Sequence, residues 1–580
     1  MINQLSWKVG GQQGEGIEST GEIFSMALNR LGYYLYGYRH FSSRIKGGHT
    51  NNKIRVSTTP MNSISDDLDI LVAFDQETID VNVHELKDGG VIVADSKFSP
   101  VKPDNASVRL FPIPFTEIAN DLGTSLMKNM VAVGASSALL GVKPEDFTSV
   151  VEQIFSRKGD AVVKKNMDAI REGMNRFNSE AGDALGDFQL ADVEVNRRMF
   201  MIGNDAIALG ALAAGARFMP AYPITPASEI MEYLIKKLPE HGGTVIQTED
   251  EIAACTMAIG ANYAGVRSLS ASAGPGLSLM MEGIGLSGIT ETPLVIVDTQ
   301  RGGPSTGLPT KQEQSDVMAL IYGTHGEIPK IVMAPSTVEE AFYDTIEAFN
   351  LAEEYQCPVI VMSDLALSLG KQTVEPLNYE NIKIRRGKFD PQKEMPELEG
   401  KEYFKRYEVT EDGVSTRVIP GMKNGIHHVT GVEHNEQGKP SESPKNRKAQ
   451  MDKRLKKLNR LPNTFPEPVF KDVRHEQADL LILGFNSTRG TIQEALPRLE
   501  KDGLKVNHGH VRLLHPFPSN EIAKLIEQAK NVVVIENNAT GQLAQLIKME
   551  VGSKELTPVN KYDGNPFLPA EIHEACKELF

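Results

Sequence analysis

A glutamate at the head of a helix of small residues is the strongest candidate for acid–base chemistry in this chain. Glu251 precedes an alanine- and glycine-rich run that ends at Gly265. A helix of this composition suits close packing against another element or a bound cofactor, and a carboxyl buried at its head suits proton exchange. A structural interpretation stays open, because Thr248 and Glu251 have the spacing of a capping box, in which the glutamate only caps the helix.

Two loops at the ends of predicted strands carry groups that could hold a substrate. Residues 222–226 read Tyr-Pro-Ile-Thr-Pro, and the two prolines restrict the backbone around Thr225, so its hydroxyl would be rigidly placed. Arg301 follows the apolar run 294–297, and a guanidinium at the carboxyl end of a parallel strand suits a carboxylate ligand. Taken separately, the first is compatible with a loop that leads into a helix and the second with a surface loop.

Glycine-rich turns occur at two places where a strand is predicted to lead into a helix. Residues 273–277 read Ala-Gly-Pro-Gly-Leu, and residues 9–16 read Val-Gly-Gly-Gln-Gln-Gly-Glu-Gly. Glycines at the N-terminus of a helix let the backbone approach an anion, which the helix dipole also attracts. The second turn lacks the glycine spacing of a dinucleotide-binding fingerprint, and it is equally compatible with an ordinary tight turn.

A group of basic residues between positions 36 and 55, which includes Arg44, is a further candidate for ligand binding. The chain as a whole is acidic, with 61 Lys and Arg against 76 Asp and Glu and a net charge of −15. A local positive excess in such a chain suits a phosphate-bearing ligand, although a solvated or subunit-facing loop is about as compatible. The net charge argues against nucleic acid as the partner of the whole chain.

Cysteine content and hydropathy indicate a cytoplasmic protein that does not interact with membranes. The cysteines, Cys255, Cys357 and Cys576, are too widely spaced to match a zinc or iron–sulfur site, so no metal is expected on this chain. The apolar runs are strand-length and fall far short of the roughly 20 residues that cross a bilayer. The first 16 residues lack the pattern of a signal peptide.

The elements that must position the candidate residues alternate between short apolar runs and helical patterns, which is typical of α/β domains with parallel sheets. The strand-length runs are 70–74, 91–94, 131–135, 294–297, 359–362, 480–483 and 532–535. We expect α/β domains over 1–190, 193–371 and 472–580. A polar, irregular connector is expected over 372–471, and a linker over 177–192.

In combination, the motifs of the second domain resemble those of a known enzyme family. Glu251, the small-residue helix and the Ala-Gly-Pro-Gly turn resemble the pyrimidine-binding domain of thiamine-diphosphate enzymes. With Tyr-Pro-Ile-Thr-Pro before them and Thr-Gln-Arg-Gly-Gly-Pro-Ser-Thr-Gly after them, the chain resembles the α subunit of 2-oxoacid:ferredoxin oxidoreductases. The N-terminal turn and residues 44–49 resemble the γ domain of that family, which would here be fused to the α part.

The resemblance implies a Rossmann-like γ-type domain, a pyrimidine-binding domain and a transketolase C-terminal-like domain, and it implies a role for each candidate. Glu251 would hydrogen-bond a pyrimidine ring nitrogen and promote the tautomer that generates the reactive carbanion. Thr225 and Arg301 would hold the 2-oxoacid, with the guanidinium on a carboxylate. The residues expected to line the cofactor site are Tyr222, Pro223, Ile224, Gly274 and Gly276. The residues expected near coenzyme A are Gly11, Gly14, Gly16 and Arg44.

The resemblance also implies what a partner polypeptide supplies. The chain contains no Gly-Asp-Gly, the sequence with which the diphosphate–magnesium motif of thiamine enzymes begins. A β subunit is therefore expected to bind the diphosphate, Mg²⁺ and a [4Fe–4S] cluster, and the isolated chain is expected to be inactive. An (αβ)₂ heterotetramer that passes electrons to ferredoxin is expected.

The reaction implied is the oxidative decarboxylation of a 2-oxoacid with coenzyme A, giving acyl-CoA and CO₂. The fused γ–α arrangement resembles enzymes of the 2-oxoglutarate synthase type or enzymes for a broad set of 2-oxoacids. Other functions stay open: a non-catalytic scaffold subunit that holds coenzyme A or a nucleotide, a nicotinamide-dependent dehydrogenase, and a thiamine-dependent transketolase or synthase.

Overall fold

The chain forms two compact units. Strands and helices alternate in both, which confirms the predicted α/β fold class. The computed structural model describes residues 1–42, 48–104, 107–182, 186, 188–397, 402–552 and 555–579. The first unit consists of Met1–Met201, Leu369–Leu377 and Leu568–Ala570, and the second of Ile202–Ser368, Asn378–Phe567 and Glu571–Phe580.

The regular elements alternate along most of the chain. The strands are β1 (Gln4–Gln12), β2 (Tyr34–His40), β3 (His49–Ser57), β4 (Leu68–Ala73), β5 (Leu86–Asp95), β6 (Arg109–Ile113), β7 (Met199–Ile202), β8 (Phe218–Ala221), β9 (Thr244–Gln247), β10 (Leu269–Ser272), β11 (Leu294–Gln300), β12 (Ile331–Met333), β13 (Pro358–Asp364), β14 (Lys371–Val374), β15 (Val469–Asp472), β16 (Ala478–Phe485), β17 (Val506–Val511), β18 (Leu513–His515), β19 (Ala529–Glu536) and β20 (Thr557–Asn560). The helices are α1 (Ile17–Arg30), α2 (Gln76–Asn82), α3 (Phe115–Asp121), α4 (Lys128–Ser137), α5 (Thr148–Phe155), α6 (Asp160–Ala181), α7 (Gly203–Ala213), α8 (Ser228–Lys237), α9 (Glu251–Tyr263), α10 (Gly274–Ile289), α11 (Val317–Tyr322), α12 (Val338–Tyr355), α13 (Leu365–Leu369), α14 (Pro444–Lys456), α15 (Leu461–Thr464), α16 (Thr488–Lys501), α17 (Ser519–Glu527), α18 (Gln542–Val551) and α19 (Pro569–Lys577). In the described part of the chain, no helix combines the length and the apolar composition needed to cross a bilayer.

A mixed sheet forms the core of the first unit, with the strand order β6-β5-β4-β1-β3-β2-β14-β7. Strands β1, β4, β5 and β6 run parallel, whereas β3 pairs antiparallel with β1 and β2. The rings of Trp7 and Phe24 stack with their centroids 4.2 Å apart, so β1 and α1 share one apolar core. This packing places the glycine-rich turn at the carboxyl end of β1, directly before α1.

One predicted strand is a helix instead, because the run 131–135 lies within α4, which packs against α6. A Cβ at Gly134 would lie 2.0 Å from the carbonyl oxygen of Ile170, and a Cβ at Gly173 would lie 2.2 Å from that of Val131. The two helix backbones therefore meet at glycines. A helix buried in this way is apolar around its circumference and loses the periodicity that would distinguish it from a strand. Helix α6 also extends into the stretch predicted as a linker.

Parallel strands form the centre of the second unit. One sheet has the order β10-β11-β13-β12-β18, and β8 pairs in parallel with β9. A parallel bridge between Phe218 and Ser268 joins β8 to the edge next to β10. A further sheet has the order β15-β17-β16-β19-β20 and is parallel from β17 to β20. The loops that follow β8, β9, β10 and β11 consequently lie at one carboxyl edge, where ligand sites of α/β sheets form.

The region between β14 and β15 is more closely attached to the second unit than its polar composition predicts. Lys453 and Lys457 pair with Glu291 at 2.6 and 2.5 Å, and Arg417 pairs with Glu353 at 2.8 Å. All of these side chains are at most 3% exposed. Charged residues that suggest a solvated connector in the sequence are thus buried partners in the fold, which composition alone does not reveal.

Candidate active site

Glu251 is the first residue of α9 and lies at the carboxyl edge of the parallel strands. The N-cap of α9 is Asp250, whose side chain accepts a hydrogen bond from the amide of Ala253 at 2.7 Å. Thr248 donates its hydroxyl hydrogen to the carbonyl oxygen of Asp250 at 2.8 Å. The capping-box interpretation is therefore wrong, since Asp250 caps the helix. The Glu251 side chain is buried, with 6% of the residue exposed.

The Glu251 carboxylate packs against the first turn of α10. A Cβ at Gly276 would lie 2.6 Å from Oε1 of Glu251 and 2.1 Å from Oγ of Ser272. A side chain of any size at position 276 would displace one of these groups. Glycine at this position therefore leaves the space that the carboxylate occupies.

Thr225 and Arg301, predicted as substrate-binding residues, contact each other. Arg301 donates from Nη1 to the carbonyl oxygen of Thr225 at 2.6 Å and from Nη2 to that of Thr306 at 3.4 Å. Its Nε is buried and has no hydrogen-bond partner in the part of the chain that the structure describes, and the residue is 7% exposed. Burial lowers the pKa of the guanidinium, and Asp316 partly opposes this shift. An arginine remains charged near neutral pH, so an unused cationic donor lies at the edge of the strands.

Two aspartates near this arginine, one fully buried and one half-buried, have no role in the sequence-based prediction. Asp298 lies in β11 and is fully buried, and neither of its carboxylate oxygens has a hydrogen-bond partner among the described residues. Burial and the nearby Asp316 raise the pKa of Asp298 well above its ordinary value. Burial also raises the pKa of Asp316 to about 6; Glu313 adds to this shift and Arg301 opposes it. The signal in the sequence is an aspartate that directly follows a run of apolar strand residues.

Asp316 connects the arginine to the helix on which Glu251 packs. A Cβ at Gly274 would lie 2.9 Å from both carboxylate oxygens of Asp316. Gly274 and Gly276 both belong to the first turn of α10, so this turn contacts Asp316 at one glycine and Glu251 at the next. Contacts and electrostatic interactions therefore run in succession from Arg301 through Asp316 and α10 to Glu251.

Besides Gly274 and Gly276 on α10, the residues predicted to line the cofactor site lie in the loop between β8 and α8, at the same edge. Tyr222 is 40% exposed, whereas Pro223 and Ile224 are half-buried. The amide of Ala227 donates to the carbonyl oxygen of Ile224 at 2.8 Å, which closes the turn that leads into α8. The peptide bond between Thr225 and the following proline is cis.

The candidates for coenzyme A lie in the first unit, around the turn between β1 and α1. Gly14 and Gly16 have positive φ angles of 98° and 84°, a conformation that favours glycine. A Cβ at Gly16 would lie 2.9 Å from Nδ2 of Asn129, whereas no atom of the described residues lies within 4 Å of a Cβ at Gly14. Gly11 lies within β1, and Arg44 lies outside the described residues.

A cavity of about 360 Å³ opens beside this turn. Its lining combines the backbone of the turn with polar groups of β2 and β3, namely Gln13, Gly14, Arg39, Thr50, Asn51 and Asn52. The first turn of α1 also faces the cavity through Glu18, which forms an ion pair with Arg39. The cavity therefore offers peptide N–H groups and a partly neutralised guanidinium to a ligand.

Comparisons with known proteins decide the family. A family model described as pyruvate flavodoxin/ferredoxin oxidoreductase, thiamine diphosphate-binding, matches residues 209–453. Models described as pyruvate ferredoxin/flavodoxin oxidoreductase and as pyruvate:ferredoxin oxidoreductase core domain II match residues 6–176 and 478–572. The 2-oxoacid:ferredoxin oxidoreductase subunit alpha of a Sulfolobus species is 34% identical over 99% of this chain and 96% of its own length. The chain belongs to the α-subunit family of 2-oxoacid:ferredoxin oxidoreductases.

Other members of this oxidoreductase family include proteins named for 2-oxoglutarate. The 2-oxoglutarate synthase subunit KorA of Methanocaldococcus jannaschii is 37% identical over 65% of this chain and 98% of its own. A solved 2-oxoglutarate:ferredoxin oxidoreductase from Magnetococcus marinus, described with 2-oxoglutarate, coenzyme A and succinyl-CoA bound, is 37% identical. It matches with a TM-score of 0.92 over 100% of both chains. The resemblance drawn from the motifs is thus confirmed, and the membership favours it over a nicotinamide-dependent dehydrogenase.

Proposed function

We propose that this chain is the γ–α fused subunit of a thiamine-diphosphate-dependent enzyme that oxidatively decarboxylates 2-oxoglutarate. The products are succinyl-CoA, CO₂ and reduced ferredoxin, and activity requires a β subunit. The observation that carries the proposal is the buried Glu251 carboxylate, held against α10 at the same strand edge as Arg301 and Thr225. This arrangement provides an acceptor for a heterocycle and a cation for a carboxylate in one place.

The residues around Glu251 fit the aminopyrimidine end of thiamine diphosphate. A carboxylate oxygen that points along the glycine-bearing turn of α10 supplies the acceptor that a protonated ring nitrogen needs. When bound, thiamine diphosphate supplies a nucleophilic carbon that adds to the keto group of the substrate. The part of Glu251 is to hold a proton between its Oε1 and that ring. Gly274 and Gly276 allow the backbone of α10 to approach the cofactor.

Arg301 and Thr225 fit the head of a 2-oxoacid. Arg301 uses its terminal nitrogens on two carbonyl oxygens of the chain, and its buried Nε remains available as a donor. A carboxylate that binds here would gain a charge-assisted hydrogen bond in a site with little water. The hydrogen bond from Arg301 to the Thr225 carbonyl oxygen fixes the loop that bears the Thr225 hydroxyl. The guanidinium and the hydroxyl would therefore keep a fixed position relative to each other.

The choice of 2-oxoglutarate rests on the relatives. The KorA proteins are named for 2-oxoglutarate, and the Magnetococcus enzyme is described with that substrate and succinyl-CoA. The shape match to the latter extends over the whole chain. A broad specificity for 2-oxoacids is the alternative, because the Sulfolobus relative is named for 2-oxoacids in general.

Coenzyme A is assigned to the cavity beside the turn between β1 and α1. The turn has positive φ angles at Gly14 and Gly16 and leads into the first turn of α1, which lines the cavity and whose peptide N–H groups have no acceptor within the helix. Such groups bind phosphates well, because the helix N-terminus carries a partial positive charge. Gly11 and Arg44 are retained as candidates on the strength of the resemblance.

The β subunit is proposed to cover the face of α9 and α10 beside Glu251. Ile252 and Met257 on α9 are 51% and 38% exposed, and Leu279 on α10 is 50% exposed. Exposed apolar side chains so close to a buried carboxylate are typical of a subunit interface. The partner would supply the diphosphate site with Mg²⁺ and the [4Fe–4S] cluster, in an (αβ)₂ enzyme of the cytoplasm.

The test is the substitution Glu251→Gln in the enzyme co-purified with its β subunit. Glutamine keeps the shape of the side chain but holds no exchangeable carboxyl proton. We expect the rate of viologen reduction with 2-oxoglutarate to fall by about 1,000-fold, since general acid–base groups contribute roughly 100- to 10,000-fold. Size-exclusion chromatography should show the complex unchanged.

Glu249→Gln is the matched control, because Glu249 is exposed and lies two residues away. It should leave the rate within about twofold. A scaffold subunit would tolerate Glu251→Gln as well as the control, and that result would refute the proposal. A panel of 2-oxoacids assayed with the wild-type complex would separate a 2-oxoglutarate enzyme from a broad one by its kcat/KM values.

A further inference from the structure

We propose that buried amide side chains, which we call the amide clasp, position the loop that carries Arg301. The clasp consists of Gln300, Gln312, Gln314, Asn486, Asn537 and Asn538. Each of these residues is at most 1% exposed. Some belong to the loop after β11 and the others to loops at the carboxyl ends of β16 and β19. The inference rests on the proposed function, in which Arg301 binds the carboxylate of the substrate.

The loop that carries Arg301 is closed at its neck. The amide of Gly302 donates to the carbonyl oxygen of Lys311 at 3.1 Å. The amide of Asp316 donates to Oε1 of Gln300 at 3.1 Å. The outgoing and returning segments therefore run side by side, and whatever holds the returning segment also determines where Arg301 lies.

Gln314, in the returning segment, is the centre of the clasp. Its Nε2 donates to Oδ2 of Asp364 at 2.8 Å and to the carbonyl oxygen of Phe485 at 3.1 Å. Its Oε1 accepts from the amide of Asn537 at 2.9 Å. Its backbone amide donates to the Asn537 carbonyl oxygen at 2.7 Å, and its own carbonyl oxygen accepts from Nδ2 of Asn538 at 3.0 Å. Every polar group of Gln314 is thus bonded to the ends of β13 and β16 or to the residues that follow β19.

The outgoing segment is held in the same way. Nε2 of Gln300 donates to Oδ1 of Asn486 and to the carbonyl oxygen of Ser363, each at 3.2 Å. In the returning segment, Oε1 of Gln312 also accepts from the amide of Ala366 at 2.8 Å. Both sides of the neck are consequently tied to the carboxyl ends of neighbouring strands, while residues 303–308 at the tip of the loop are exposed.

Amides suit this task better than charged groups. Each side chain offers both donors and an acceptor, so two amides can satisfy each other or a backbone peptide without a net charge. An amide does not titrate, so the clasp adds no charge beside Asp316 and Arg301. A buried amide that loses a partner is left with an unsatisfied group, which makes the bonded arrangement strongly preferred. The members touch no substrate in the proposed site, and they act as positioning residues.

The test is Gln314→Glu in the complex with the β subunit. Glutamate keeps the acceptor for the Asn537 amide, but it removes the donor to Asp364 and places a second carboxylate beside it. Two carboxylates at this distance share a proton at lower pH and repel at higher pH. We expect KM for the 2-oxoacid to rise about tenfold near pH 8 and to return toward the wild-type value near pH 6. KM for coenzyme A should stay within about twofold.

Gln545→Glu is the matched control, because Gln545 is exposed on α18 and bonds only locally, to the carbonyl oxygen of Thr540 at 2.7 Å. It should leave both KM values and their pH dependence unchanged. A merely structural role of the clasp would lower the fraction of active enzyme, and therefore kcat, at an unchanged KM. Where Arg301→Lys raises KM for the 2-oxoacid, an unchanged KM for the 2-oxoacid in Gln314→Glu, or an equal rise in KM for coenzyme A, would overturn the inference.

Hydrogen exchange on the full chain keeps the inference separate from the proposed function. In Gln314→Glu, the amide of Gly302 should exchange at least about tenfold faster than in the wild type, while amides in the middle of α9 should not change. Unchanged exchange at Gly302 would overturn the clasp whatever the enzyme does. Faster exchange together with an Arg301→Lys variant that keeps its wild-type KM would support the clasp and refute the substrate role of Arg301.

A second variant covers the case in which Gln314→Glu fails to fold. Gln542, at the start of α18, donates from Nε2 to the carbonyl oxygen of Ser315 at 2.7 Å and accepts from the amide of Met318 at 3.0 Å. It holds the same returning segment at the rim of the clasp and is only half-buried. Gln542→Leu should raise KM for the 2-oxoacid about threefold with kcat unchanged. Where Arg301→Lys raises KM for the 2-oxoacid, an unchanged KM for the 2-oxoacid in Gln542→Leu would also count against the inference.

Discussion

Two groups of acidic residues in the second unit have pKa values that are shifted in opposite directions. In the connector anchor, which we define as Glu291, Lys453 and Lys457, every side chain is fully buried and the acid pairs with both lysines. Burial alone would raise the pKa of Glu291, but the lysines outweigh it and lower that pKa to about 2. At the site edge, Asp298 is just as buried, yet no described residue forms a hydrogen bond with its oxygens, and its pKa is raised well above the ordinary value.

The connector anchor attaches one segment of the chain to the rest of the unit, whereas the site edge has features of a ligand-binding or catalytic site. The anchor neutralises its acid with two cations, and this fixes α14 to the body of the unit. The site edge instead holds Asp298 and Asp316, and Arg301, which opposes the rise in the pKa of Asp316, bonds to carbonyl oxygens. Acids whose pKa values are raised by burial are typical of sites where a ligand or a proton completes the arrangement. The same residue types therefore have different roles according to their partners.

Breaking the anchor should give the largest effect on stability. Glu291→Gln would leave Lys453 and Lys457 facing each other without an anion. We expect the free energy of unfolding to fall by about 3–5 kcal/mol, which is the usual effect of removing one partner from a buried ion pair. Chemical denaturation of the full chain, followed by circular dichroism, would measure the loss.

Glu282→Gln serves as the control for this variant, since Glu282 is exposed on the neighbouring helix α10. It should change the free energy of unfolding by less than about 0.5 kcal/mol. A double variant, Glu291→Gln with Lys453→Met, should recover part of the loss, because it removes one of the unpaired amines. Equal stability of Glu291→Gln and the control would show that the anchor does not hold the connector.

Substitutions at the site edge should reduce the activity of the enzyme more than its stability. Gly276→Ala would place a methyl group 2.6 Å from Oε1 of Glu251, so the carboxylate must shift. We expect a loss of about 100-fold in kcat/KM of the complex, since a displacement of about 1 Å has effects of that order. Gly285→Ala, on the same helix but facing open space, is the matched control and should keep its activity. Similar activity of the two variants would contradict the placement of Glu251.

The sequence indicates those candidate site residues that lie in short, recognisable motifs. Glu251, Thr225 and Arg301 each stand in a short segment that combines a predicted strand end with a loop or helix start, and parallel topology brings such ends together. Apolar periodicity also indicates strands and helices elsewhere in the chain, whereas the buried position of α4 in the first unit removes that signal. The polar cap at Asp250 was missed because Thr248 has the same spacing to Glu251 as a capping residue would have.

The sequence does not predict the amide clasp or the connector anchor, because their hydrogen-bond and ion-pair partners are distant in sequence. Gln300 bonds to Asn486 across 186 residues, and Gln314 bonds to Asn537 across 223 residues. An amide in a loop carries no signal of burial, since Asn and Gln are common in exposed turns. The anchor was missed for the same reason, because Lys453 and Lys457 lie in a segment whose composition suggests an irregular, solvated connector.

The two groups should also respond to pH in opposite directions, with a smaller effect. The pKa of Asp316 is raised to about 6, so its contribution to stability is fully present below about pH 4 and is lost as the pH rises through about 6. The pKa of Glu291 is lowered to about 2, so its contribution is present above about pH 4.5 and is lost as the pH falls toward 2. Asp316→Asn should therefore remove a decrease of roughly 2 kcal/mol between about pH 4.5 and pH 6.5, at about 1.4 kcal/mol per pKa unit. Denaturant titrations of both proteins at these two pH values would measure the difference. Parallel pH dependences of the wild type and Asp316→Asn would show that Asp316 keeps an ordinary pKa, and the contrast between the anchor and the site edge would then rest on Asp298 alone.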